Sequence, residues 1–245
     1  MSKRRENNVP ATFFIFSHCL QKTFFINFSF FGFIDNGQKK TYISLVRFAI
    51  HQELENTMPE ERSKLKLYSG GHKGAEAEFG EQAEKWHIPE VNYSFEDHQM
   101  VRNKSAQVLN AEELTKGDLS MEIVSQKMGR NYARPDKIRR VIQSIYHMVT
   151  NSYHIFAVGW IQPDDTVKGG TGWGVELAKM FNCDVSVYDQ DREGWFTWRD
   201  GKWTPDAPMI PHRPFTGTGT RNLTDAGKAA IHDLYQRSFG DPPQA

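Results

Sequence analysis

The sequence has little cysteine, no excess of either charge and no uninterrupted apolar run long enough to dominate it. Its two cysteines, Cys19 and Cys183, supply neither a disulfide framework nor a four-thiolate zinc site, so a reducing, cytoplasmic setting is the expectation. Thirty basic residues balance 30 acidic ones, which argues against bulk nucleic acid or an acidic membrane as the partner but leaves room for a local basic patch.

What the chain has in excess is phenylalanine in one place. Ten of its 17 phenylalanines lie between Phe13 and Phe48. Seven basic residues against four acidic ones precede Met58, and 23 against 26 follow, so two compositions are joined. Ala11–Ile34 is apolar, yet His18, Gln21, Lys22 and Asn27 interrupt it, and a spanning helix needs about 20 mostly apolar residues. Lys3, Arg4 and Arg5 would suit a signal peptide, but no small-residue cleavage site follows. Phe24–Ile34 is β-favouring, uncharged and free of proline, an aggregation-prone pattern. Three readings of residues 1–57 stand: a non-native or disordered extension ahead of a start at Met58, a membrane or targeting segment, or an extra layer on the domain. Membrane contact is expected only if this segment is native.

From Met58 onward the pattern is that of one domain, residues 58–245. Lys64–Tyr68 reads as a strand broken by Ser69-Gly70-Gly71-His72-Lys73-Gly74. Ala75, Phe79, Ala83 and Trp86 share one helical face, and Val91–Phe95 is a second strand. Asp118 is expected to cap a helix over Leu119–Met128, and Pro135 to open the next, whose apolar face carries Ile138, Val141, Ile142 and Ile145. His154–Ile161 is nearly all apolar, as in a strand buried on both faces. A second glycine cluster, Gly169-Gly170-Thr171-Gly172, leads into a helix through Glu176, followed by a strand over Val185–Tyr188. Trp195–Trp198 and Lys202–Thr204 form a hairpin across Asp200-Gly201, residues 205–214 are irregular, and Gly217–Arg221 leads to a last helix capped by Thr224. The expected fold is α/β: a Rossmann-like, doubly wound, mainly parallel sheet with helices on both faces and a small C-terminal β-hairpin.

Both glycine clusters sit at strand-to-helix junctions, where the backbone can approach a ligand and free amides favour an anion. The first lacks GxGxxG spacing and the second lacks a Gly-Lys-Ser/Thr ending, so neither is a standard nucleotide fingerprint. The pattern Gly169-Gly170-x-Gly172-x-x-x-Glu176 resembles the GGxGTxxE motif of the "lonely guy" phosphoribohydrolases, which share a Rossmann-like superfamily with DNA-processing protein A and the molybdenum-cofactor carriers. Ser69-Gly70-Gly71-x-x-Gly74 resembles the SGGxxG opening of the carrier branch. The resemblance implies a small nucleotide-like ligand with its phosphate on Ser69, Gly70, Gly71, Gly74, Gly169, Gly170, Thr171 and Gly172. It also implies N-glycosidic cleavage assisted by Glu176, whose carboxylate would stabilise positive charge developing on the sugar. Trp173 stands where the motif has threonine, and the family's Arg-Lys pair has no clean match, with Arg130 one candidate and Arg139-Arg140 another.

Further candidates come from position alone. Arg221 suits a phosphate by its forked guanidinium, and Asp189 ends a strand where ribose-recognising acids sit. Asp164-Asp165 offer a water-mediated Mg²⁺ site or a solvated acidic loop. His72 and Lys73 lie inside the first loop, and Trp173 stands between two glycines where it would stack a base. No histidine pair has zinc spacing. The expectation is a nucleotide-binding protein, with nucleoside monophosphate hydrolysis or non-enzymatic sensing or cofactor carriage as alternatives, and a homo-oligomer.

Overall fold

The apolar run at residues 154–159 decides the architecture, because a strand apolar on both faces needs helices on both sides of it. A computed structural model of the chain describes residues 64–132 and 136–244. The readings of residues 1–57 and the placement of Pro135 lie outside these described residues. The elements are β1 (Leu67–Ser69), α1 (Ala75–Lys85), β2 (Glu90–Phe95), β3 (Ala106–Leu109), α2 (Ala111–Thr115), α3 (Asp118–Met128) and α4 (Asp136–Thr150). They continue with β4 (His154–Gly159), α5 (Thr171–Met180), β5 (Asp184–Asp189), β6 (Gly194–Arg199), β7 (Lys202–Pro205), β8 (Phe215–Gly219) and α6 (Asp225–Phe239).

One eight-stranded sheet runs in the order β3-β2-β1-β8-β4-β5-β6-β7, parallel from β3 to β5 and antiparallel at β6 and β7. This is the Rossmann-like α/β fold expected of the sequence. On one face α1 and α6 bury Phe79, Trp86, Ile231 and Tyr235 against Leu67, Phe156 and Phe215. On the other, α3, α4 and α5 bury Met121, Ile142, Met148 and Leu177 against Tyr93, Ile155 and Val187. Each fully buried Phe or Leu contributes about 2 kcal/mol. The hairpin β6–β7 turns at Asp200 (φ 50) and Gly201 (φ 76), two positive φ angles that match the Asp-Gly pair of a type I′ turn. Among the described residues no helix is long and apolar enough to cross a membrane.

Two local expectations change. Gly217-Thr218-Gly219 is not a lead-in to the last helix but the C-terminal part of β8, a strand placed between β1 and β4. Glycine disguises the strand, yet a Cβ on Gly217 would lie 2.4 Å from Cγ of Phe79, so the residue that weakens the pattern is what lets α1 pack on it. Asp118 opens α3 without capping it: its carboxylate accepts from the Tyr132 hydroxyl, from Nε2 of Gln143 (2.7 Å) and from Nη2 of Arg139 (2.9 Å), tying α3 to α4. No expectation covered β3 and α2. Asn110 and Glu113 form a capping box at α2, with bonds of 2.9 and 2.8 Å. Thr224 caps α6 as expected, accepting from the amide of Gly227 at 3.0 Å.

Candidate functional site

The parallel strands end along one edge of the sheet, and that edge collects residues 69–74 after β1, 160–170 after β4, 189–192 after β5 and 220–224 after β8. Helix α6 follows β8 on one face and α5 follows β4 on the other. The direction of winding therefore changes between these neighbouring strands, where open α/β sheets form their ligand crevice. The two glycine loops stand two strand spacings apart, about 10 Å.

The second loop is shaped by Arg130. From beyond the C-terminus of α3 its Nη1 donates to the carbonyl of Gly169 (2.9 Å), and its Nη2 donates to the carbonyl of Val167 (2.9 Å) and to Oε1 of Gln162 (2.9 Å). The Gly169–Gly170 peptide is trans, so the amide of Gly170 points away from the carbonyl that Arg130 holds. Gly169 (φ +71) and Gly170 are exposed, and a Cβ on either would meet nothing within 4 Å. Thr171 and Gly172 turn inward: Thr171 is buried, and a Cβ on Gly172 would lie 2.1 Å from the carbonyl oxygen of Val167. Lys168 is exposed beside the loop, its Nζ 5.5 Å from the centre of the Trp160 ring.

Glu176 lies one turn further into α5 and is 2% exposed. Its Oε1 pairs with Nζ of Lys179 and its Oε2 with Nζ of Lys127, both at 2.8 Å. Lys179 is itself buried; its ammonium donates to the carbonyl of Asp165 (2.9 Å) and sits 3.7 Å above Trp198 and 4.5 Å above Trp203. Burial pushes the Lys179 pKa down, while Glu176 holds against it. The two tryptophans and Lys179 thus fasten the hairpin to α5. Trp173 is buried against Tyr132, with ring centroids 5.9 Å apart, and faces the core.

The first loop folds around a carboxylate of the protein. Oε2 of Glu76 accepts from the amide of His72 at 3.1 Å and from Nδ1 of His72 at 2.8 Å, and Oε1 accepts from the Thr218 hydroxyl at 2.9 Å. Burial alone would raise the Glu76 carboxyl, but the His72 ring, its charge and amide, and Thr218 bring it below the usual value. Nε2 of His72 lies 2.8 Å from Nε2 of His98, whose Nδ1 lies 3.2 Å from the Ser94 hydroxyl. Each loop glycine has an internal reason. A Cβ on Gly70 would lie 2.8 Å from Oε2 of Glu76, Gly71 (φ +67) passes its carbonyl to the amides of Val101 and Arg102, and Gly74 (φ +95) packs on the backbone of Thr220. The hydroxyl of Ser69 donates to the carbonyl of Gly217 at 2.8 Å.

Asp189 is buried under its own turn, accepting from the amides of Ile161 (2.9 Å), Asp191 (3.0 Å) and Arg192 (3.1 Å). Asp164 caps its turn through the amide and hydroxyl of Thr166. Among the described residues no group of three His, Cys, Asp or Glu side chains converges as metal ligands. Arg221 is exposed after β8 and, like Lys168, forms no ion pair with any described residue. Arg139 and Arg140 pair with Asp118 and Asp136. The sequence reading missed Glu76, His98, Thr218, Lys127 and Lys179. Only Lys179, three residues after Glu176 on one helix, had a local signal.

No protein-family model matches the chain, and no curated protein matches its sequence. Among solved structures, a proposed molybdenum carrier protein from Syntrophus aciditrophicus is similar over 70% of this chain and 92% of its own, at 19% sequence identity and a TM-score of 0.42. At that identity and score the likeness carries no argument about the site.

Proposed function

We propose that the chain binds a small phosphate-bearing, nucleotide-like molecule at the C-terminal ends of β4 and β8, with the phosphate on the loop Gly169-Gly170 at the start of α5. The observation that carries this reading is the pairing of Arg130 with that loop. The guanidinium takes the carbonyls of Val167 and Gly169 on the inner side, which leaves the Gly170 amide turned outward at a helix N-terminus, with open space around the position of a Gly170 Cβ. Lys168 beside the loop and Arg221 at the end of β8 add positive charge along the same edge.

Binding without N-glycosidic cleavage, as in a sensor or carrier, is the form of this reading that Glu176 favours. Both of its oxygens are engaged by lysines and the side chain is buried, so orienting a sugar would require Lys127 to leave. The second reading, hydrolysis of a nucleoside monophosphate, rests on the motif position of Glu176. The test is to titrate the full chain with a panel of nucleoside monophosphates and follow both binding and free base. Binding with no base released supports the sensor or carrier. Base release that disappears in Glu176→Gln, with binding retained, supports the hydrolase. No binding by any member contradicts both.

A further inference from the structure

The histidine pair belongs to the other loop. His72 follows β1 and His98 follows β2, so both stand at the C-terminal edge of the sheet, brought together across 26 residues of sequence. Each ring is held by its Nδ1, the nitrogen that does not meet the other ring. Nδ1 of His72 donates to Oε2 of Glu76 at 2.8 Å, and Nδ1 of His98 lies 3.2 Å from the Ser94 hydroxyl, which can accept a hydrogen bond as well as donate one. Both rings can therefore carry their proton on Nδ1 and present a lone pair on Nε2, with a carboxylate behind one imidazole and a hydroxyl behind the other. Metal-ligating histidines are oriented by partners of this kind. Glu76 and Ser94 are buried, whereas His98 is half-buried and opens the pair to solvent.

The two Nε2 atoms lie 2.8 Å apart and the ring centres 4.4 Å apart, with the planes at 66°. A straight N–H···N bond of that length would set the centres about 5 Å apart, so at least one ring is tilted well off the line between the nitrogens. The spacing is that of two imidazoles sharing a metal at right angles: bonds of about 2.0 Å then place the nitrogens about 2.8 Å apart and the ring centres about 4.5 Å apart. Tetrahedral coordination would need nitrogens about 3.3 Å apart. We propose that Nε2 of His72 and Nε2 of His98 together bind a divalent transition-metal ion of the Cu²⁺ or Ni²⁺ type. Right-angled nitrogen ligation suits the tetragonal geometry of these ions, and imidazole is a good ligand for both. Among the described residues no third His, Cys, Asp or Glu converges with the pair, so water or an oxygen of a bound ligand completes the coordination. The Glu76 carboxylate behind His72 offsets part of the cation's charge. The site is separate from Gly169-Gly170 and does not depend on the reading given to that loop.

The test uses the full chain with Cu²⁺ and Ni²⁺ as probes. One equivalent of Cu²⁺ is expected to give a tetragonal electron-spin-resonance spectrum split by two imidazole nitrogens, and His98→Gln to reduce the two to one. Ni²⁺ affinity, measured by calorimetry, is expected to fall about tenfold or more in His98→Gln, because a chelating pair becomes a single ligand. His212→Gln, which changes an exposed histidine after β7, is expected to leave the affinity unchanged. Melting temperatures without metal show that each variant is folded. Substoichiometric Ni²⁺ is also expected to broaden the ring resonances of His72 and His98 before those of the other histidines, a readout that needs no variant. A Cu²⁺ spectrum that His98→Gln does not alter overturns the proposal, as does an unchanged Ni²⁺ affinity in that variant or broadening that begins at other histidines.

Discussion

Nη1 of Arg130 donates to the carbonyl oxygen of Gly169 at 2.9 Å, across 39 residues of sequence. The arginine holds the inner side of the loop through the carbonyls of Val167 and Gly169. Arg130→Ala removes charge-assisted hydrogen bonds to two carbonyls and Gln162, and is expected to cost about 2 kcal/mol of stability. Ligand affinity should fall about tenfold or more as the Gly170 amide loses its orientation. Arg130→Lys should recover little of either, because a point charge cannot span both carbonyls. Urea unfolding together with a binding titration checks both effects.

Gly217→Ala places a methyl group 2.4 Å from Cγ of Phe79 in the middle of the sheet. Overpacking of this kind costs about 1–3 kcal/mol, and thermal unfolding should show the loss. An unchanged melting temperature would mean that α1 does not rest on β8 as described.

Glu176 and Lys179 are buried together, so removing Glu176 leaves the Lys179 ammonium without its carboxylate. Glu176→Gln is expected to cost about 3 kcal/mol by urea denaturation. The double variant Glu176→Gln/Lys179→Met should be more stable than the sum of the single losses, since neither partner is then left charged. Additive losses would show that the pair is not coupled.

His154 is held neutral: burial pushes its pKa down to about 4, while its Nε2 meets the Ser186 hydroxyl at 2.9 Å and its ring stacks on Phe156. The unfolded chain protonates this histidine near its ordinary value of 6.5. Between these values the unfolded state binds more protons, so stability is full above 6.5 and falls as the pH drops toward 4. His154→Gln should flatten that slope by about one proton, amounting to about 3 kcal/mol across the interval. Unfolding free energies measured from pH 7 to pH 4 test this.

Periodicity made much of the fold legible. The 3.6-residue spacing of Ala75, Phe79 and Ala83 marked α1, and the apolar run of β4 marked a sheet covered on both faces. The strand β8 escaped because alternating glycine and threonine lack the side chains by which strands are recognised, and their small size is explained only once Phe79 stands over them. The site was legible as glycine loops but not as chemistry. Glu76 meets Thr218 across 142 residues and His72 meets His98 across 26, so no spacing in the sequence announces the pair. Glu176 was visible as a motif carboxylate, whereas its partner Lys127 belongs to another helix.

The central claim is that the start of α5 receives the ligand's phosphate, and Gly170→Glu tests it most directly. Gly170 has φ −63 and open space at its Cβ, so a side chain fits without strain, and a carboxylate at a helix N-terminus stabilises by about 0.3–1 kcal/mol. The variant is therefore expected to melt at or above the wild-type temperature while its affinity for nucleoside monophosphates falls at least about tenfold, because its own charge occupies the anion's place. Unchanged affinity in a variant that melts with the wild type would contradict the account.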